Sequence, residues 1–188
     1  MAVIEHLVIT ALPVLFLIVL FGGGEMFRRK NINMDGEPPI DKTLFYVSKY
    51  TIVVLWGVMV LTAWGINPPF IRRPVSVKWI SLGLWVFGFL LLFAGRLKLG
   101  NSFRLGSPQE STSLKVDGLY KISRHPMYLG VYATILASVL YTMNPVFLLL
   151  AIAVIWIHHK IVVAEEWHLF KEFGEEYKNY CSRVRRYL

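Results

Sequence analysis

Cysteine is nearly absent: a single residue, Cys181, in 188. One thiol excludes an internal disulfide framework and any cysteine-based zinc site. Charge is scarce as well, at 17% of the chain where soluble domains carry about a quarter. Acids are the rarer sign, twelve against twenty Lys and Arg, which leaves a net charge of +8. Disordered and nucleic-acid-binding chains with such a charge are poor in apolar residues, yet this chain is 55% hydrophobic with a mean hydropathy of +0.52. High hydropathy with a basic excess points to a bilayer. Internal repeats and low-complexity tracts are missing too, and no nucleic-acid partner is expected.

Runs without charge locate the spans. Leu7 to Gly24 is uncharged over 18 residues, Thr51 to Ile71 over 21 and Trp79 to Gly95 over 17. Pro126 to Ile157 is uncharged over 32, too long for one crossing of a core that needs about 20 residues. At its midpoint Asn144-Pro145 offers an N-cap followed by the residue preferred at the first helical position, so the run is expected to be a hairpin of two short helices. The first span lacks the basic flank and small-residue cleavage site of a signal peptide and is expected to stay as a membrane helix. The expected fold is all-α: a multi-pass membrane protein with about five spans and a C-terminal interfacial helix.

Sixteen Lys and Arg fall in the first connection, the third connection and the tail, against Arg72, Arg73 and Lys78 on the opposite side, with Lys49 at a span edge. The positive-inside bias places the N-terminus outside and the C-terminus in the cytoplasm. Two regions follow: residues 1–95 with three spans, and residues 96–188 with a polar loop, the hairpin and the tail. A cytoplasmic site would be built from the second.

Gly118 to Tyr128 leads into the hairpin. Proline disfavours the α conformation at the residue before it, so His125 should be extended and Pro126 should open the helix. The free N–H groups of Met127 and Tyr128, with Arg124 beside them, would make an anion site or a lipid-phosphate anchor. Glu165 and Glu166 stand where the last span leaves the membrane, and adjacent carboxylates there need partners: Lys160, Arg124, a helix dipole or a ligand. Metal is not expected. Glu165-x-x-His168 has no second copy, and five histidines (His6, His125, His158, His159, His168) are too few for a membrane desaturase site. Gly22-Gly23-Gly24 follows no strand, and no serine stands in a nucleophile-elbow context. In the tail, aromatic residues at 170, 173, 177 and 180 share one helical face, which suits either an interfacial anchor or a lid.

The ordered set Gly118-x-Tyr120, Arg124-His125-Pro126-x-Tyr128-x-Gly130, Glu165-Glu166 and Phe173-Gly174-x-x-Tyr177-x-x-Tyr180 resembles the isoprenylcysteine carboxyl methyltransferases and their phospholipid methyltransferase relatives. The likeness covers roughly Asn101 to Leu188, and the first three spans agree in hydropathy only. It implies S-adenosylmethionine in a cytoplasmic pocket over the hairpin, contacted by Thr112, Ser113, Leu114, Lys115, Tyr120, His125, Pro126, Met127, Tyr128 and Glu165. The helix mouth would take the cofactor carboxylate, Glu165 its amino group or ribose hydroxyls, and Tyr120 or Tyr128 would face the sulfonium. Two positions depart from the pattern. Thr112 stands where the family has histidine, and Ile161 stands where the isoprenylcysteine enzymes have an arginine facing the substrate carboxylate, with Lys160 and His159 beside it.

The expected activity is methyl transfer to a lipid or lipidated acceptor, first the carboxylate of a prenylated cysteine, with Glu166, His159 and Lys160 as candidates at the acceptor. The alternatives are N-methylation of a phospholipid amine and an NADPH-dependent reductase of the steroid-reductase type. Membrane lipids are the expected surroundings and a monomer the expected state.

Overall fold

Charge-free runs alternating with basic connections become helices in the computed structural model, which describes residues 2–22, 36–67, 69–100, 103 and 113–188. In chain order they are α1 (Ala2–Phe21), α2 (Lys42–Ala63), α3 (Val75–Leu99), α4 (Pro126–Thr142) and α5 (Pro145–Arg183). A 3₁₀ turn, Gly118–Lys121, precedes α4, and no strand forms among the described residues. Four of the helices are long and apolar enough to cross a membrane; α4, with 17 residues, is the shorter apolar one. Only 22–33% of the residues in the four most apolar windows are buried, so most of each span faces outward. Leu7, Ile18, Val54, Leu90 and Leu149 are each more than half exposed. Such a surface suits hydrocarbon rather than water, and the chain is a multi-pass membrane protein.

The hairpin turns where Asn144-Pro145 places it. Met143 adopts the left-handed conformation (φ 47), and the Asn144 side chain accepts a hydrogen bond from the Val146 N–H at 2.9 Å. The two arms are unequal, contrary to the expectation of two short helices. α5 runs without a break from Pro145 to Phe173, about 44 Å at 1.5 Å per residue and longer than a hydrocarbon core, before a kink at Gly174. Between Ile157 and Phe173 neither proline nor glycine interrupts it. At Gly174 the backbone turns to φ 50, ψ −121, a conformation glycine tolerates best, and helix resumes beyond. The expected C-terminal helix is the segment beyond this kink, and its Tyr177 and Tyr180 pack inward on Tyr120.

Small residues set the tightest crossing. A Cβ on Gly88 of α3 would lie 2.7 Å from the Gly130 carbonyl oxygen, and one on Gly130 of α4 would lie 2.7 Å from the Gly88 carbonyl oxygen. Backbones this close gain dispersion contacts that lipid cannot supply. Polar ties reinforce the bundle: Trp56 Nε1 donates to Thr134 Oγ1 at 3.0 Å, and Ser81 Oγ to the Ala137 carbonyl at 2.7 Å. Phe16, Trp56, Trp85 and Phe89 fill the centre with tilted and edge-on rings. At the end where α1 and α3 begin, Lys78 pairs with Glu5 at 2.5 Å, Tyr141 donates to Glu5 at 2.6 Å, and Arg73 donates to the Tyr141 carbonyl.

Candidate active site

At the opposite end, where α4 begins, the sequence Arg124-His125-Pro126 does what its proline requires. His125 leaves the helical region (φ −129, ψ 58) and Pro126 takes the first helical position. Among the described residues the N–H groups of Met127 and Tyr128 find no acceptor, as a helix start implies. The tail of the chain then ties this entrance down. The Arg124 N–H donates to the Arg185 carbonyl at 3.0 Å, Ser123 Oγ to the Arg186 carbonyl at 3.1 Å, and Tyr180 to the Tyr120 carbonyl at 2.6 Å. The 3₁₀ turn is itself anchored outside the membrane. Lys98 bonds Asp117, holding that carboxyl below its ordinary range, while burial, then Tyr180 and Glu165, push the Tyr120 phenol well above its ordinary value.

The two adjacent glutamates part company. Glu166 is clamped between guanidiniums: Arg124 reaches Oε1 at 2.8 and 3.1 Å, and Arg186 reaches Oε2 at 2.7 and 3.0 Å. His125 Nε2 lies 3.2 Å from the same Oε1. Donating to the Glu166 carboxylate makes the Arg186 guanidinium hold its proton still more firmly than usual. Arg124 also donates to the Val184 and Cys181 carbonyls, at 3.1 and 3.4 Å. Its expected place in an anion site at the helix mouth is therefore taken by a structural role. Glu165, by contrast, lines a cavity, held by the Tyr128 hydroxyl at 2.5 Å with His125 Nδ1 at 4.0 Å.

That cavity encloses about 430 Å³, within the range of small-molecule sites. It has two arms. Ser113, Leu114, Lys115, Tyr120, His125 and Glu165 line a polar mouth. Phe16, Leu20 and Phe21 of α1, with Ile52, Val53 and Trp56 of α2, line an apolar arm. Phe21 and Val53 are also 58% and 43% exposed, so the apolar arm reaches the outer face between α1 and α2. Met127 and Tyr128 line the cavity too, and Tyr128 links the two sets: its hydroxyl bonds Glu165 and its ring centroid lies 5.7 Å from the ammonium of Lys49 on α2.

Ser113, Leu114, Lys115, Tyr120, His125, Met127, Tyr128 and Glu165 are thus brought onto one wall. Pro126 is buried at the start of α4 and sets the turn without lining the cavity. Thr112 lies outside the described residues. The three acceptor-side candidates fall elsewhere. Glu166 is in its clamp; His159 Nδ1 lies 2.9 Å from the Tyr187 hydroxyl in a separate apolar groove; exposed Lys160 lies over the Trp156 ring at 3.7 Å. Helical periodicity explains this: His158, Glu165 and His168 share the inward face of α5, while 159 and 160 are turned a third to half a revolution away. Ile161 is fully buried.

Among the cavity residues absent from the expected site are Lys49 and His158. The signal for His158 was its place two turns before Glu165. For Lys49 it was a charge inside an apolar helix. No group of three or more His, Cys, Asp or Glu that could hold a metal occurs among the described residues.

Fold and cavity together define a membrane-embedded bundle with an amphipathic pocket at its basic end. Comparison with known proteins gives the particular family. A family model described as phospholipid methyltransferase matches residues 77–176, more than half of the chain. Protein-S-isoprenylcysteine O-methyltransferase B of Arabidopsis thaliana is 24% identical over 158 residues, 81% of this chain and 80% of the plant protein. The protein-S-isoprenylcysteine O-methyltransferases of Schizosaccharomyces pombe and Saccharomyces cerevisiae are 31% and 32% identical over 55% and 53% of this chain. The chain spans about half the length of these two relatives, 46% of each. It belongs to the phospholipid methyltransferase family, and is by that membership an integral membrane methyltransferase.

Proposed function

We propose that the chain transfers a methyl group from S-adenosylmethionine to the carboxylate of a prenylated cysteine, at the cytoplasmic face of its membrane. The observation that carries this reading is the two-armed cavity, polar at one end and open to lipid at the other, with Tyr128 and Met127 between. Its volume, a carboxylate and an aromatic wall suit a cofactor that is cationic at sulfur and nitrogen and rich in hydroxyls.

Ser113, Leu114, Lys115, Tyr120, His125, Met127, Tyr128 and Glu165 would hold the cofactor, and Pro126 would set the turn that presents them. Thr112 belongs to the same cofactor set by resemblance. When bound, the cofactor supplies an electrophilic methyl group on a sulfonium. Glu165, oriented by Tyr128, would offer its carboxylate to the amino group or ribose hydroxyls, and the N–H groups opening α4, without an acceptor among the described residues, would face the cofactor carboxylate. The rings of Tyr120 and Tyr128 wall the junction and exclude water. A carboxylate oxygen attacks as it stands, with no proton to remove. Positioning in line with the methyl group is then the main demand on the protein. The lipid tail would lie between α1 and α2, and the excess of Lys and Arg at this end supports a cytoplasmic orientation.

Calorimetry on detergent-purified protein tests the cofactor. Micromolar binding of S-adenosylhomocysteine with none of NADPH is expected; the reverse would replace methyl transfer with a hydride-transferring reductase.

A further inference from the structure

Lys49 is the eighth residue of α2, and its side chain enters the cavity wall where the two arms meet. Its ammonium lies 5.0 Å from the Phe45 ring centroid and 5.7 Å from that of Tyr128. Among the described residues it makes no hydrogen bond and no ion pair. Of the other cations lining the cavity, Arg124 is fully engaged with Glu166 and two carbonyls, and Lys115 belongs to the polar mouth. Aromatic faces attract a cation but accept none of its N–H groups in the manner of an oxygen. An ammonium on a membrane helix is costly without an anion, and such a residue marks a ligand path.

The side chains around it do not supply that anion. Glu165 faces the same cavity but is held by Tyr128 and stands with His125, and no pairing with Lys49 occurs within 4 Å. His158, 1% exposed, is on the wall across the Tyr128 ring, whose centroid lies 6.0 Å from its own. Its Nδ1 lies 2.9 Å from the Val154 carbonyl, and a carbonyl only accepts, so Nδ1 carries the proton. The partnerless Nε2 then presents a lone pair, which repels an anion. Among the described residues, the cation that a negative group meets beside the Tyr128 ring is Lys49. The apolar arm leads away from it between α1 and α2, so an amphiphile lying along that arm brings its head to the ammonium.

Resting on the methyltransferase reading above, we propose that Lys49 reads the acceptor: its ammonium binds the carboxylate head of a lipidated substrate whose tail lies between α1 and α2. The Lys49–carboxylate contact holds the acceptor oxygen at the junction beside Tyr128. It also makes a free acid a better ligand than its methyl ester, so that methylation itself weakens the hold on the product. The same cation could serve two other anions, the carboxylate of the cofactor or the phosphate of a phospholipid, and the arms of the experiment separate the three.

The test uses the full chain in nanodiscs, as wild type, Lys49→Met and Lys49→Arg, with N-acetyl-S-farnesyl cysteine as acceptor. For Lys49→Met, the KM for the free acid should rise about 10- to 100-fold, the loss expected of one charge-assisted contact. The affinity for S-adenosylhomocysteine and the melting temperature should stay at the wild-type values. Competitive inhibition by the farnesyl cysteine methyl ester should be the same in both proteins. Lys49→Arg should recover most of the lost affinity for the acid. An unchanged KM in a folded Lys49→Met protein overturns the assignment while leaving methyl transfer standing. Weakened S-adenosylhomocysteine binding in Lys49→Met would give Lys49 to the cofactor and overturn it too. Methylation of phosphatidylethanolamine vesicles in place of the farnesyl cysteine would give it to a lipid phosphate. A wild type that binds neither S-adenosylhomocysteine nor acceptor removes the underlying reading itself.

Discussion

The two ends of the bundle use the same parts to opposite effect. At the end where α1 and α3 begin, Glu5 is met by Lys78 and by the hydroxyl of Tyr141, while Arg73 caps the Tyr141 carbonyl and covers its ring at 3.7 Å. Glu5, Lys78, Arg73 and Tyr141 answer one another, and this network closes on itself. At the end where α4 begins, Glu166 is answered in the same way by Arg124 and Arg186, but its neighbour Glu165 is answered by one tyrosine and turned toward open space. Cation, carboxylate and tyrosine therefore do not by themselves distinguish a fastening from a site. What distinguishes them is whether the groups satisfy one another or leave a surplus facing a cavity.

The comparison breaks most completely at the crossing that both ends depend on. Gly130→Leu drives a side chain into the Gly88 carbonyl and the Leu92 side chain, and is expected to abolish a monodisperse folded protein in size-exclusion chromatography. Glu166→Gln leaves two guanidiniums facing a neutral amide. A loss on the order of 3 kcal/mol is expected, read as a lower melting temperature, with the C-terminal strap from Arg183 onward becoming open to proteolysis. Glu165→Gln sharpens the contrast between the neighbours. Stability should change little, while affinity for S-adenosylhomocysteine falls about 10-fold or more in calorimetry, the magnitude of one charged hydrogen bond. Glu5→Gln is expected to have the smallest effect, about 1 kcal/mol of stability with ligand affinity unchanged, because Glu5 and its partners do not line the 430 Å³ cavity.

Legibility from sequence was high where a local rule governs. Asn144-Pro145 announces a helix start, and the structure caps α5 there. His125-Pro126 announces another, and α4 opens at Pro126. The length of α5 was less legible, because a charge-free run marks where hydrocarbon ends and not where a helix ends. For the site, the resemblance named residues that do line one cavity, while the neighbours His159 and Lys160, named for their place beside Ile161, do not line it. At 3.6 residues per turn His158 faces the cavity and His159 and Lys160 face away from it. The same rule separates Glu165 from Glu166.

By itself the sequence determined the solvent of this protein, the places of its apolar helices, the turn of its hairpin and its family, since hydropathy, proline and ordered motifs are written along the chain. The tertiary structure decided which charges are spent and which are free. Arg124 became a clamp when the C-terminal strap brought Arg186 to the far oxygen of Glu166, and Lys49 became a cavity residue when α2 packed beside Tyr128. Those outcomes depend on partners more than 40 residues distant or on separate helices, and the partition between fastening and site is a property of contacts that only packing creates.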